Sequence, residues 1–394
     1  MHVKSRACPA PPHRSLSVAA ASVMLVLVGC DPVADDDAGL DAGSDAARID
    51  TPAAFLDASA AVGDWLDWDP ASPGPFAVGY RSFDHTYTPA GHTAPRTIHV
   101  SVWYPTLLSE GPVARYSGTS VDRDAIAEAP LAESIYEGGS YPVHVYSHGD
   151  RGWGGTSAFL MRRFASHGWV AVAPDHTGNT LTGNLDPRPP WLYYVRSTDV
   201  TAALDAIGAL PTSDALSGRL ALAEVIASGH SFGTHTMWAC AGATFDVPSF
   251  ADDPCSTCTE EELAAFAAGV GDPRIVGIIP MAGAINRRFF GDTGHQSVSI
   301  PVLAMSGTAD PVGADGQFTT TSPLPFTWID IEGACHQFFA LGCEGDAPLD
   351  EDTIVGGFAL AFARRHVLGD DSSRVTEILD GSRVLSDRVH FMSR

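Results

Sequence analysis

Lysine is almost missing from this 394-residue chain: Lys4 stands alone among 23 basic residues, the rest being arginine. That bias reads as codon usage rather than chemistry. Positive charge is scarce altogether, with 47 acidic residues leaving a formal net charge of −24. Such a chain has no electrostatic footprint for nucleic acid or for an anionic lipid surface. Internal repeats are absent, and no apolar stretch reaches the eighteen or so residues that a membrane-spanning helix needs. Cys255-x-x-Cys258 has the spacing of half a zinc site, but no second ligand pair follows, so no metal is expected. The glycine-rich segment His148-Gly149-Asp150-Arg151-Gly152 lacks both the lysine of a phosphate-binding loop and the dinucleotide-binding spacing, so no cofactor is expected. What the chain does have is 45% hydrophobic residues with 39 glycines and 28 prolines, enough apolar mass for a large core.

The amino terminus reads as an address. Lys4, Arg6 and Arg14 precede an eleven-residue apolar run, Val18 to Val28, the length of a signal-peptide core. The run ends in Leu27-Val28-Gly29-Cys30, which resembles the bacterial lipobox. That resemblance implies a signal peptide over residues 1–29 and lipidation of Cys30. The mature protein would then be anchored in a membrane of the bacterial cell envelope and exposed to the periplasm or exterior. Residues 30–61 hold eight aspartates against Arg48 and show no hydrophobic period. They read as an extended acidic tether, and Asp35-Asp36-Asp37 lacks the spaced ligands of a calcium loop.

From residue 62 to the end, apolar strands alternate with helices, which predicts one α/β domain with a mostly parallel sheet covered on both faces. Strands are expected at 97–104, 141–147, 169–174, 222–228, 275–280, 300–306 and 326–331, the last of them. Helices are expected at 157–166, stopped by Gly168, and at 199–210, 259–268 and 354–368. Thr259 and Glu262 form a capping box for the third of these.

Gly229-His230-Ser231-Phe232-Gly233 lies between an expected strand and a helical run, the setting in which a G-x-S-x-G turn exposes a nucleophilic serine. The acid and base should follow in the order Asp, His. Asp310 follows a buried strand, with Asp315 and Asp330 as rivals, and His336 follows the last strand. His295 precedes every plausible acid, His366 reads as a helix-end cation, and His230 as a packed neighbour. Acyl transfer also needs amides for the oxyanion. Phe232 N–H is one expected donor, and Asp150 N–H the other, with Arg151 as the alternative.

Three blocks then carry a family resemblance: Ser147-His148-Gly149; Ala165-Ser166-His167-Gly168-Trp169-Val170 with Ala173-Pro174-Asp175-His176; and the Ser231 pentapeptide. With Asp310 and His336 they resemble the α/β-hydrolase superfamily, within it the platelet-activating-factor acetylhydrolase and predicted dienelactone hydrolase group of serine esterases. The resemblance, from about residue 97 to 368, implies an eight-stranded sheet and hydrolysis of a small-molecule carboxylic ester through an acyl-enzyme. Two departures stand out. Thr234 occupies a place where a third glycine is usual, and the nucleophile is serine where dienelactone hydrolases use cysteine. A peptidase or amidase on the same triad, or a non-catalytic binding lipoprotein, are the alternatives.

Five cysteines remain after Cys8 and Cys30, and an exported chain is expected to pair them. Cys335–Cys343 is the favoured bridge, because it would pin the loop carrying His336. Residues 177–195 and 244–273 read as insertions near the substrate entrance. Trp153, Trp191 and Tyr193 would line an acyl pocket there or pack as core aromatics.

Overall fold

A computed structural model describes residues 63–117, 120–321, 324–343 and 350–394. The expected leader and tether, Cys30 included, lie outside the described residues. Among the described residues, no helix is long and apolar enough to cross a membrane.

Eleven strands form one mixed sheet: β1 (Ala77–Tyr87), β2 (Arg96–Thr106), β3 (Val113–Tyr116), β4 (Ser120–Ala127), β5 (Tyr141–Ser147), β6 (Val170–Asp175), β7 (Leu220–His230), β8 (Ile275–Met281), β9 (Val302–Gly307), β10 (Phe326–Ile331) and β11 (Val389–Ser393). Their spatial order is β11-β10-β9-β8-β7-β5-β6-β2-β1-β4-β3. The six strands from β6 to β10 through β5 and β7 run parallel, while β2 and β11 join the two sides of that block antiparallel. The class is therefore α/β and mostly parallel, as expected, but the expected eight strands are eleven. The expectation stopped at β10, and β1, β3, β4 and β11 were not foreseen. Their exposed or half-exposed residues and interspersed charges break the apolar alternation that marks a strand.

Period-2 alternation divides the core between the two faces. Val143, Val145, Val225 and Ala227 point to one side, under α2 (Leu192–Gly208) and α3 (Phe232–Cys240). Tyr146 and Ile226 point to the other, under α1 (Ala158–Ser166) and α5 (Gly357–Val367). Between them in chain order, α4 (Glu260–Ala268) carries the expected capping box. α1 stops before Gly168, whose φ of +85° is the left-handed conformation that glycine adopts without strain. α2 begins seven residues before its expected start. Its buried face includes Arg196, Ser197 and Asp199, so hydrophobicity alone gave no sign of it.

Parallel register brings the carboxyl ends of the central strands into line. Ser147 lies beside Gly229, His230 beside Met281, and Gly307 beside Ile331. The loops that leave this edge carry residues 148–151, 176, 231, 310 and 336.

Candidate active site

Ser231 sits between β7 and α3 with φ 56° and ψ −112°, a strained conformation for a residue with a side chain. The turn is over-determined by backbone packing. A Cβ on Gly229 would stand 2.4 Å from the carbonyl oxygen of Gly233, and one on Gly233 would stand 2.1 Å from that of Ser147. Ser231 N–H donates to Met281 O at 2.9 Å, locking the turn to β8. Thr234, in the place of a third glycine, donates its hydroxyl to Met281 O at 3.0 Å. Its methyl and hydroxyl fit because Gly283 faces them: a Cβ there would lie 2.4 Å from Thr234 Cβ.

His336 reaches this serine from the loop after β10. Its Nε2 is 2.8 Å from Ser231 Oγ, and its Nδ1 is 2.9 Å from Asp310 Oδ2. A carboxylate only accepts, so Nδ1 carries the hydrogen and Nε2 is left to receive the serine proton. The Asp310 side chain is fully buried, while the His336 side chain is 28% exposed, open enough to meet a substrate. Val312 N–H holds the other Asp310 oxygen at 2.9 Å. The rivals are placed elsewhere. Asp330 accepts from Ser306 Oγ within β10, Asp315 opens the short helix Asp315–Thr320, and His295 bonds Thr320 Oγ1. His366, expected as a cation at a helix end, packs on Phe362, and burial pushes its pKa down.

His230 bonds the backbone of His336 rather than Ser231. Its Nε2 donates to the backbone carbonyl of His336 at 2.8 Å, and burial pushes its pKa down to about 4. The Cys335–Cys343 bridge is formed, closing the loop that starts with His336. The second bridge is Cys255–Cys258, so that pair is a local staple, and Cys240 is buried and free. Among the described residues, no group of three or more His, Cys, Asp or Glu is placed to hold a metal ion.

Phe232 is the first residue of α3, where an amide has no partner within the helix. On the opposite side, Gly149 packs so close that a Cβ would lie 3.2 Å from Ser231 Cβ. The loop beyond it is oriented by the His148 ring. His148 Nε2 accepts from His176 N–H at 2.9 Å, so Nδ1 carries the hydrogen and donates to Gly149 O at 2.7 Å. Across a trans peptide the carbonyl and the next N–H point opposite ways, so tying Gly149 O fixes the direction of Asp150 N–H. Arg151, the alternative donor, takes the left-handed φ of 57°. The Asp150 carboxylate accepts from Asn179 Nδ2 at 2.6 Å and pairs with Arg188.

The three aromatics divide. Tyr193 stacks on Phe289 at 3.9 Å and lies 4.8 Å from the ring of Phe232, the residue after Ser231. Trp191 packs against His92, and Trp153 borders a cavity of about 400 Å³ with Asp175, Arg115 and Leu181 at the same sheet edge.

One arrangement was not foreseen from the sequence, although Ser147 and His176 both lie in the blocks that carry the resemblance. Ser147, His176 and Asp199 repeat the Ser–His–carboxylate chain, with Oγ to Nε2 at 2.8 Å and Nδ1 to Oδ2 at 2.9 Å. All three are sealed in the core, and Arg96 clamps the Asp199 carboxylate at 2.7 and 2.8 Å. Bond lengths alone therefore do not mark a nucleophile here; accessibility and the strained turn separate Ser231 from Ser147. A scan against models of known protein families finds none that matches the chain, and a search of curated proteins finds no match.

Proposed function

We propose that this chain is a serine hydrolase of the α/β-hydrolase type that cleaves carboxylic esters through an acyl-enzyme. The observation that carries the reading is the continuous chain from Asp310 through His336 to a partly exposed serine held at positive φ. In this mechanism His336 Nε2 takes the Ser231 proton as Oγ attacks the ester carbonyl, and Asp310 stabilises the imidazolium. The amides of Phe232 and Asp150 receive the oxyanion. Collapse of the tetrahedral intermediate breaks the ester C–O bond, and the imidazolium returns its proton to the departing alcohol. Water then enters, gives a proton to His336, and attacks the acyl carbon. Collapse of the second intermediate releases the acid, and the imidazolium returns that proton to Ser231. Every step is a proton or acyl transfer, so the cycle closes without a redox partner.

The test is turnover of p-nitrophenyl esters of graded chain length by the purified chain. Hydrolysis that disappears in Ser231→Ala supports the reading. A correctly folded protein that turns over none of them contradicts it.

A further inference from the structure

We propose that Arg196 is the positioning residue of the oxyanion hole, holding both of its amide-bearing segments with one buried guanidinium. The inference rests on the serine-hydrolase reading above.

Arg196 lies within α2, and its side chain is fully buried. Burying a cation costs several kcal/mol unless its hydrogens are well spent. Among the described residues, none of the hydrogen bonds this guanidinium makes goes to a carboxylate. Nη2 donates to the His148 carbonyl and to Ser147 Oγ at 3.2 Å. Nη1 donates to Asn179 Oδ1 at 2.7 Å, and Nε donates to Thr236 Oγ1 at 3.2 Å. The guanidinium carbon also lies 4.4 Å from the centre of the Phe232 ring, a cation–π distance.

Those partners are the parts that frame the hole. His148 O is held by Arg196 and Gly149 O by the His148 ring, so two successive peptide planes are fixed and the Gly149 and Asp150 N–H groups are aimed. Asn179, held through its oxygen, uses its nitrogen to grip the Asp150 carboxylate. On the other side, Thr236 stands one turn along α3 from Phe232, whose ring covers the guanidinium. The buried Ser147–His176–Asp199 set acquires a purpose in this arrangement. His176 Nδ1–H donates to Asp199, so His176 Nε2 accepts the Ser147 hydroxyl hydrogen and the Ser147 lone pairs face Arg196. Arg96 and Tyr87 hold the far end by binding Asp199.

The experiment compares wild type with Arg196→Lys, which keeps the charge but loses the planar fork, and Arg196→Met, which keeps the bulk. Circular dichroism checks the fold. Turnover gives kcat and KM, and the inhibition constant of a trifluoromethyl ketone, whose adduct carries the oxyanion, reads the hole directly. For both variants, kcat should fall by about tenfold or more with KM within about threefold, and the ketone should weaken in proportion to kcat/KM. A merely structural role would lower stability without that proportionality. A folded variant that keeps wild-type kcat, or loses kcat with an unchanged ketone constant, overturns the proposal. If neither variant folds, Asn179→Ala and Thr236→Val each remove one partner of the guanidinium. Weaker ketone inhibition in both supports the proposal, and an unchanged constant in both overturns it. A wild-type chain inactive on every ester fails earlier, and that failure belongs to the functional reading itself.

Discussion

At the scale of single residues, Ser231, the proposed nucleophile, is held at a cost that can be measured. Ser231 occupies a φ/ψ region that a side chain enters only under constraint, worth about 1–3 kcal/mol. Ser231→Gly should therefore be more stable than Ser231→Ala by about 1 kcal/mol, and both should be inactive. Equal denaturation midpoints for the two would show that the turn carries no strain. Thr234 and Gly283 make a second residue-scale pair. Gly283→Ala should cost about 1–3 kcal/mol through its clash with Thr234, and adding Thr234→Gly should recover most of it. Additive losses in that cycle would contradict the packing account. The meeting of Ser231, His336 and Asp310 was legible in the sequence because each follows the end of a buried strand. Arg196 was not legible, because a lone arginine gives no sign of the three segments its guanidinium joins.

At the scale of elements, the proposed base is carried by a short 3-10 turn, His336–Phe339, anchored in three ways. Cys335 is bridged to Cys343, the His336 carbonyl accepts from His230, and the Phe339 carbonyl accepts from Ser157 Oγ at 2.8 Å. The bridge closes only an eight-residue separation, so its entropic effect on global stability is modest while its effect on one loop is direct. The Cys335→Ser, Cys343→Ser double variant should lose more in kcat than in melting temperature, since a small displacement of the imidazole is costly in rate. Unchanged turnover in the double variant would remove that role. Elements were legible in proportion to their burial. β5 is buried at every position and read cleanly. β1 alternates half-buried and exposed positions past Tyr80 and carries Arg81, Asp84 and His85, so it read as loop.

At the scale of the whole molecule, buried histidines set the response to acid. Burial pushes the pKa of His144, His167 and His235 down to about 3 and that of His230 to about 4, and holds those of His148 and His176 well below 6.5. In the unfolded chain these groups take protons near pH 6.5, so between there and about pH 4 the unfolded state binds more protons. Their neutral forms thus support the fold above pH 6.5, and that support is lost as pH falls. Urea midpoints should decline steadily from pH 7 to pH 5, and a flat profile would contradict the assignment. The lipobox resemblance adds an expectation for the full chain: wild type partitions with membranes, whereas Cys30→Ala is released or left unprocessed. A variant that still processes and partitions as wild type would assign the anchor elsewhere. The central claim is that one partly exposed serine, and not its buried counterpart, is the nucleophile. Its most direct test is to label the native protein with a fluorophosphonate and map the modified peptide by mass spectrometry. Stoichiometric label on Ser231, lost in His336→Ala, is the predicted result; label on Ser147 or another serine, or full reactivity without His336, would contradict it.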